Sequence, residues 1–344
     1  MPKVLVVATS RETRGGITSV IKAHETGRQW HEFNCEWIET HIDGSAFQKI
    51  RCFIKGFFQF AFKLKKADIV HIHMAAVERK MPFVFLSKLL KKKLIIHLHF
   101  PDPQTTVYNP VKAPRYKWCL SKADKVIVLS ESWAELLRKE WGVDNLQVIY
   151  NPCPKVESPK YNLQTDCPYI LYAGNLSGRK GYKDLLSAFA LVHDKMPGWR
   201  IKFAGNGEVE NGKKIAAQLR IEDKVDFLGW VNGSEKDEAF RNAAVYCLPS
   251  YAEGFPMGVL DAWAYHLPVI TTPVGGLPEI LDNGTNALVF TPGNIEGLSQ
   301  CLCDITSSDV REQLSKASEN LSSTMFDVDN VNRQIRALYL SLID

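Results

Sequence analysis

Short runs of consecutive apolar residues recur along the chain and alternate with stretches of three-to-four-residue apolar spacing. In the first half, Val4–Ala8, Cys35–Glu39, Ile69–His73, Leu94–Leu98, Val126–Leu129 and Gln147–Ile149 predict strands. Several are near-continuous Val, Ile and Leu, the pattern of strands buried on both faces of a parallel sheet. Between them, Gly16–Trp30, Ala46–Lys66, Pro82–Lys92 and Glu131–Trp141 carry helical spacing. Residues 151–167 hold three prolines and no periodicity, which predicts a linker. The alternation then restarts with strands at Tyr169–Tyr172, Arg200–Phe203, Lys224–Phe227, Ala244–Leu248, Pro268–Thr271 and Ala287–Phe290. Helices are predicted at Gly181–Lys195, Glu208–Leu219, Lys236–Asn242, Met257–His266 and Glu279–Asp282, with a helical tail from Ile295 ending in the amphipathic run Val328–Leu342. Strand–helix alternation of this kind predicts an α/β fold of doubly wound parallel sheets. The domains expected are 1–150, a linker at 151–167, 168–325 and a tail helix at 326–344 crossing back to the first domain, as two Rossmann-like halves facing a central cleft.

Composition narrows the class. The 344 residues are 45% hydrophobic and 23% charged, which argues against disorder. No run of 18 apolar residues exists, so no spanning helix is expected. The opening Met-Pro-Lys-Val-Leu-Val-Val-Ala reads as a strand rather than a signal peptide. Eight cysteines fall at no metal-ligand spacing, and the expectation is reduced thiols in a cytosol. The net charge of +4 conceals an asymmetry: residues 1–150 carry +10 and the remainder −6. A basic half fits nucleic acid, anionic lipid or phosphorylated small molecules.

Candidate chemistry sits where strands hand over to helices. Gly15-Gly16 opens the first helix, where backbone N–H groups can meet an anion or simply make a tight turn. The segment is not G-x-G-x-x-G, and Gly205-Asn206-Gly207 lacks the third glycine, so no dinucleotide fingerprint is present. His71 and His73 share one face of their strand, as do His97 and His99, with His73 and His99 at the strand ends. Four histidines admit a metal, but no carboxylate stands at ligand spacing, and core or hydrogen-bonding roles are favoured for His71 and His97. Gly174-Asn175-Leu176-Ser177-Gly178-Arg179-Lys180-Gly181 places glycines and two cations at a helix start, suited to a diphosphate or to a solvated turn. The most specific segment is Leu248-Pro249-Ser250-Tyr251-Ala252-Glu253-Gly254-Phe255-Pro256-Met257-Gly258-Val259-Leu260-Asp261. A strand ends, a carboxylate follows, a tight turn opens a helix, and a second acid lies eight residues after the first. Thr272–Glu279 is a further glycine turn.

Glu-Gly-Phe-Pro-Met with an acid eight residues beyond the Glu resembles the E-x7-E motif of retaining GT-B glycosyltransferases of sequence family four, the glycosyl transferases group 1. PSYAEGFPMGVLDAWAYHLPVITTPVGGLPEILDNG is similar to that family's donor-binding block, and KVDFLGWV to its lead-in. Gly15-Gly16, DIVHIHM followed by Arg79-Lys80, and LIIHLHF resemble the subgroup that builds bacterial surface polysaccharides. The resemblance implies that the C-terminal domain binds a nucleotide-sugar and the N-terminal domain the acceptor. Transfer then retains the anomeric configuration and uses no metal or other cofactor. It implies Glu253 on the donor sugar's hydroxyls, Asp261 on the ribose, and Gly254, Phe255, Pro256 and Met257 as backbone cradle. Lys180 falls to the diphosphate, Gly15 and Gly16 to the phosphate loop, and His99 to the sugar; His73 and Arg79 fall on the acceptor side. Three positions depart from the family pattern. The second acid is Asp261 rather than Glu. The diphosphate arginine is Asn175, with Arg179 a displaced substitute. The glycine after the histidine of LIIHLHF is Phe100. Asp327-Val328-Asp329 is read as a helix cap.

The function expected is transfer of a sugar from a UDP- or GDP-sugar to a saccharide acceptor, lipid-linked, for capsule, exopolysaccharide or lipopolysaccharide. A catalytically degenerate GT-B partner subunit and a nucleotide-sugar epimerase are the alternatives. Residues 47–66 combine six phenylalanines with a lysine face, and Lys88 and Lys91–Lys93 add basic charge. Two readings stay open: a helix packed on the sheet, or an interfacial helix touching an anionic membrane through 47–66 and 88–93. The location expected is cytoplasmic, including the cytoplasmic face of the inner membrane. No nucleic-acid module is present, so no nucleic acid is expected as partner.

Overall fold

A computed structural model of the chain describes residues 2–100, 102–159, 161–163 and 167–343. It divides into two units, Met1–Pro152 with Phe326–Asp344, and Cys153–Met325.

The first unit runs β1 (Val4–Ala8), α1 (Gly16–Glu25), α2 (Arg28–Glu32), β2 (Glu36–Glu39), α3 (Ala46–Leu64), β3 (Ile69–Met74), α4 (Met81–Leu89), β4 (Lys93–Leu98), α5 (Pro103–Val107), α6 (Ala113–Leu120), β5 (Lys125–Val128), α7 (Glu131–Trp141) and β6 (Leu146–Val148). The second runs β7 (Tyr169–Ala173), α8 (Tyr182–Val192), β8 (Arg200–Ala204), α9 (Val209–Gln218), β9 (Val225–Gly229), α10 (Gly233–Arg241), β10 (Val245–Leu248), α11 (Met257–Ala264), β11 (Val269–Thr271), β12 (Leu288–Val289), α12 (Ile295–Asp304) and α13 (Ser308–Ser323). α14 (Val328–Ile343) returns to the first unit.

Each apolar run forms a strand, and each unit holds one six-stranded parallel sheet. The orders are β2-β1-β3-β4-β5-β6 and β12-β11-β10-β7-β8-β9. The doubly wound α/β class expected from the alternation is the class observed. Strand order reverses between β1 and β3 in the first sheet, and between β7 and β10 in the second. Ligands of open α/β sheets bind beyond the carboxyl ends of strands at such reversals. Topology therefore selects the loops after β1 and β3, and those after β7 and β10.

One face of the first sheet carries Val4, Val6, Ile69, Ile95 and Ile127 and is covered by Ile21 of α1 and by Val331, Ile335, Leu338 and Tyr339 of α14. Arg336 of α14 donates two hydrogen bonds to the Glu32 carboxylate, at 2.6 and 2.7 Å. The Asp327 carboxylate accepts from Asn330 N–H at 2.8 Å and caps α14, as the sequence implied. On the other side, α3 packs closely against β2: a Cβ at Gly56 would stand 2.0 Å from the Glu39 carbonyl oxygen.

Several elements depart from the sequence reading. Gly16–Trp30 is two helices, divided at Gly27, where a Cβ would meet the Asn332 side chain at 2.5 Å. Glu279–Asp282 is a turn, because the Asn286 side chain accepts from Asp282 N–H and donates to the Ile280 carbonyl, both at 2.8 Å. α5 and α6 carry no predicted counterpart; each is five to eight residues with a proline in its first turn. Part of the stretch read as linker is bound into the second unit: Tyr161 O–H donates to the Ala244 carbonyl at 2.8 Å, and Arg241 donates to the carbonyls of Glu157 and Ser158. Lys160 and Gln164–Asp166 of that stretch lie outside the described residues. Among the described residues, no helix is long and apolar enough to cross a membrane.

Candidate active site

In the second unit three loops at the strand reversal are tied together. Tyr251 N–H donates to the Arg179 carbonyl at 2.8 Å, joining the β10 loop to the β7 loop. Gly276 N–H donates to the Gly254 carbonyl at 2.8 Å, and Thr272 O–H to the Ser250 carbonyl at 2.6 Å, joining the loop after β11. Gly181 lets the first pair approach. Its φ is +70°, and a Cβ there would stand 1.9 Å from the Pro249 carbonyl oxygen.

Glu253 sits at the centre of this arrangement, buried to 7% exposure. Its Oε1 accepts from Ser250 Oγ at 2.8 Å and pairs with Lys180 Nζ at 2.7 Å. Its Oε2 lies 3.4 Å from Arg179 Nη1, and the same guanidinium also donates to the Ala252 carbonyl. A buried carboxylate needs such partners, since leaving one unpaired costs several kcal/mol. Gly254, Phe255 and Pro256 follow, and α11 begins at Met257 with no side chain capping it. Val259 and Leu260 N–H donate to the Pro256 carbonyl, so it is the earlier amides, at Met257 and Gly258, that can meet an anion. Gly258 holds α11 against the sheet: a Cβ there would stand 2.0 Å from Tyr246 Oη. Asp261, one turn further, pairs with Lys236 Nζ of α10 at 2.7 Å.

The structure thus brings Arg179, Lys180 and Glu253 together, and places Asp261 on the helix that the cradle opens. Asn175 is exposed, and its side chain leans on Gly207, where a Cβ would meet its Oδ1 at 2.8 Å. Two participants escaped the sequence reading. Ser250 is three residues before Glu253 and was legible only as part of the motif. Lys236 lies 25 residues before Asp261 and gave no local signal.

In the first unit, Gly15 has φ +143° with open space where a Cβ would stand, and α1 starts at Gly16 without a side-chain cap. Beyond β3, Arg79 donates to His41 Nδ1 at 2.7 Å. Lys80 beside it is buried and donates to Thr40 Oγ1 at 2.6 Å; burial brings its ammonium down to about 7. Lys80, named in the sequence only as part of the Arg79-Lys80 pair and given no role of its own, is a second charged group at this strand end.

His73 and His99 do meet: a 2.9 Å hydrogen bond joins His73 Nδ1 to His99 Nε2. They belong to a larger group. His71 and His73 of β3, His97 of β4 and His99 just beyond it lie on the α1 and α14 face, with His24 of α1 against them. Ring centroids of His97 and His99 are 4.4 Å apart, and those of His71 and His73 4.6 Å. Burial pushes all five below the usual imidazole range, His24 to about 4 and His99 to about 3. His71 Nδ1 is hydrogen-bonded to Tyr339 Oη at 2.7 Å, and His24 Nδ1 donates to Asn332 Oδ1 at 2.9 Å. Nε2 of His24, His71 and His73, and both nitrogens of His97, find no partner in the protein. Each such buried group costs on the order of 1–3 kcal/mol.

Residues 155–321 match the family model described as glycosyl transferases group 1, and residues 16–154 that of glycosyltransferase family 4. An uncharacterized glycosyltransferase of Haemophilus influenzae is 31% identical over 182 residues, covering 52% of this chain and 50% of that protein. The lipopolysaccharide 1,6-galactosyltransferase of Salmonella typhimurium is 27% identical over 203 residues, covering 57% and 56%. The chain spans about half the length of the curated relatives it matches. Among solved structures, Anabaena Alr3699/HepE in complex with UDP and glucose aligns with a TM-score of 0.78 at 17% identity, over 99% of this chain and 100% of that one. Sucrose-phosphate synthase from Thermosynechococcus elongatus aligns at 0.81 and 18%, over 99% of each. At these identities the likeness is one of fold, and the fold is GT-B.

Proposed function

The chain belongs to the glycosyl transferases group 1 family, and from that membership we propose that it transfers a sugar from a UDP- or GDP-sugar to a saccharide acceptor with retained anomeric configuration. The carrying observation is Glu253, a buried carboxylate at the strand reversal of the second sheet, flanked by Lys180 and Arg179 and followed by an uncapped helix. The cations neutralise the diphosphate, and the first amides of α11 meet phosphate oxygens. Glu253 accepts sugar hydroxyls, and Asp261 accepts ribose hydroxyls once Lys236 yields. Stabilising the departing diphosphate is the main catalytic demand, and fixed cations and amides supply it without a metal or another cofactor. His73 fixes the ring of His99 through their hydrogen bond, and the first unit, with Arg79, serves the acceptor.

The acceptor in this proposal is lipid-linked and the product a surface polysaccharide. The named activity of the Salmonella relative supports that class, and the UDP and glucose complexed in HepE support a UDP-sugar donor. Helix α3 supports work at a membrane on the cytoplasmic face. Phe53, Phe57 and Phe60 pack on Phe83 of α4, whereas Phe47, Ile50, Ile54, Phe58 and Phe62 form an exposed stripe, Phe62 at 83%. Lys55, Lys66, Lys91 and Lys93 are exposed on the same helices or beside them. Apolar side chains ringed by lysines suit an anionic interface.

Incubating the chain with UDP- and GDP-sugars and undecaprenyl-linked saccharides, then comparing Glu253→Gln, tests the proposal. A fall in transfer of at least 100-fold, with an unchanged circular dichroism spectrum, is the expected result. Equal transfer by both proteins overturns the assignment of Glu253. Donor conversion without any acceptor marks an epimerase instead. Asn175 in place of a cation, and the occupied Asp261, favour a partner subunit as second reading; nucleotide binding with no turnover across acceptors identifies it.

A further inference from the structure

We propose that His71, His73 and His97 form a binding site for a divalent transition-metal ion, zinc or its analogues, inside the first unit. One potential ligand atom from each ring lies within 4.8 Å of the other two, and all three side chains are buried, at 1% exposure each. The strand register makes this no accident of rotamers. His73 and His97 are direct partners across β3 and β4, and His71 precedes His73 by two residues on the same face. That face is otherwise lined by Ile69, Ile95 and Ile127.

The proton arrangement suits ligation. A ligating imidazole holds its other nitrogen against an outer partner, which fixes the ring and the tautomer. His71 is held in this way by Tyr339 Oη and His73 by His99, leaving Nε2 of each without a protein partner. His97 has both nitrogens unpartnered. His24 is the natural fourth ligand. Its Nδ1–H donates to Asn332 Oδ1, so Nε2 carries a lone pair, and its ring centroid is 6.3 Å from that of His73 and 6.4 Å from that of His97. A tetrahedral ion with bonds of about 2.0–2.1 Å holds its nitrogens roughly 3.3 Å apart, so the His71, His73 and His97 rings close on it by up to about 1.5 Å. Imidazole ligands without thiolate or carboxylate select zinc, copper, nickel or cobalt over magnesium or calcium. The ion's place is structural. It joins β3 to β4 and, through His24 and Tyr339, binds α1 and α14 to the sheet, leaving the proposed transfer chemistry metal-free.

The test uses the full chain without a polyhistidine tag, stripped by chelator and titrated with Co2+ and then Zn2+. One equivalent of cobalt is expected, with the visible bands of tetrahedral coordination, displaced by zinc and accompanied by a raised Tm. His97→Gln and His73→Gln are expected to weaken binding at least tenfold, while His31→Gln, on the exposed side of α2, leaves it unchanged. Absence of stoichiometric uptake by the parent chain overturns the proposal, whatever the variants do. So does an octahedral cobalt spectrum, or binding that follows His31 instead of His97.

Discussion

Lys180 is paired with Glu253 at 2.7 Å, so the chain without donor already satisfies the groups that the donor is to engage. A diphosphate competes with the carboxylate for that ammonium, and sugar hydroxyls take the lysine's place on Glu253. Lys180→Ala removes a charged hydrogen-bonding partner worth about 1.5–3 kcal/mol. UDP affinity measured by calorimetry is expected to fall roughly 10- to 100-fold. The buried histidines give a second expectation at this scale. His24 takes up a proton near pH 6.5 when unfolded and only near 4 in the fold. The unfolded chain then binds more protons between those values, so stability is complete above pH 6.5 and is lost as the pH falls toward 4. For His24 alone the loss amounts to about 3 kcal/mol. Between pH 7.5 and 5 the His24 contribution to unfolding free energy from urea titrations in chelator should fall by about 2 kcal/mol, and His24→Phe should flatten the difference. The positions of Glu253, Lys180 and His99 were legible in the sequence because motif and strand end place them locally. Those of His24, Asn332 and Tyr339 were not, because 268 to 308 residues separate the partners that meet.

At the scale of elements, the wide apolar arc of residues 47–66 resolves into two rows. One row closes on the sheet through Gly56, Phe60 and Leu64, and the other faces outward. Hydrophobic spacing alone merges the rows, since a helix with apolar residues on both flanks reads as one broad face. Gly56→Val is expected to lift α3 from β2, since the Glu39 carbonyl leaves no room for a side chain, and to lower Tm by several degrees. Phe58→Asp with Phe62→Asp touches only the outer row. It should leave Tm within a degree or two and abolish co-sedimentation with phosphatidylserine vesicles; retained sedimentation removes α3 from the membrane reading. Strands were legible to within a residue or two because parallel strands are buried on both faces. The division at Gly27 and the turn at 279–282 were not, because distant or side-chain hydrogen bonds decide them. α5 and α6 are too short for periodicity to register.

For the whole molecule, the tail is part of the first unit's interior. Val331, Ile335, Leu338 and Tyr339 of α14 belong to the core of the first sheet. Burying each apolar side chain of this size contributes about 1.5–3 kcal/mol, comparable in sum with the 5–15 kcal/mol stability of an ordinary domain. A chain stopped after Met325 is therefore expected to lose the cooperative melting transition of the first unit in calorimetry while keeping that of the second. Ile335→Asp should give a milder form of the same loss. Two doubly wound domains follow from the alternation of runs, and the return of the tail to the first domain was expected, whereas the individual residues it packs on were not, since an amphipathic pattern states that one face is covered without naming the partners.

This return of the chain also governs how the protein is made. When Pro152 leaves the ribosome, every strand of the first sheet has been synthesised, yet the 173 residues of the second unit, Cys153–Met325, come before the covering helix. At about 5–20 residues per second, roughly 10–40 s pass before α14 emerges. Throughout that interval the nascent first unit presents Ile69, Ile95, Ile127 and the histidine face incompletely covered, and the second unit can finish folding first. Order of synthesis and order of completion are thus reversed, and the newborn amino-terminal half is a natural client for chaperones.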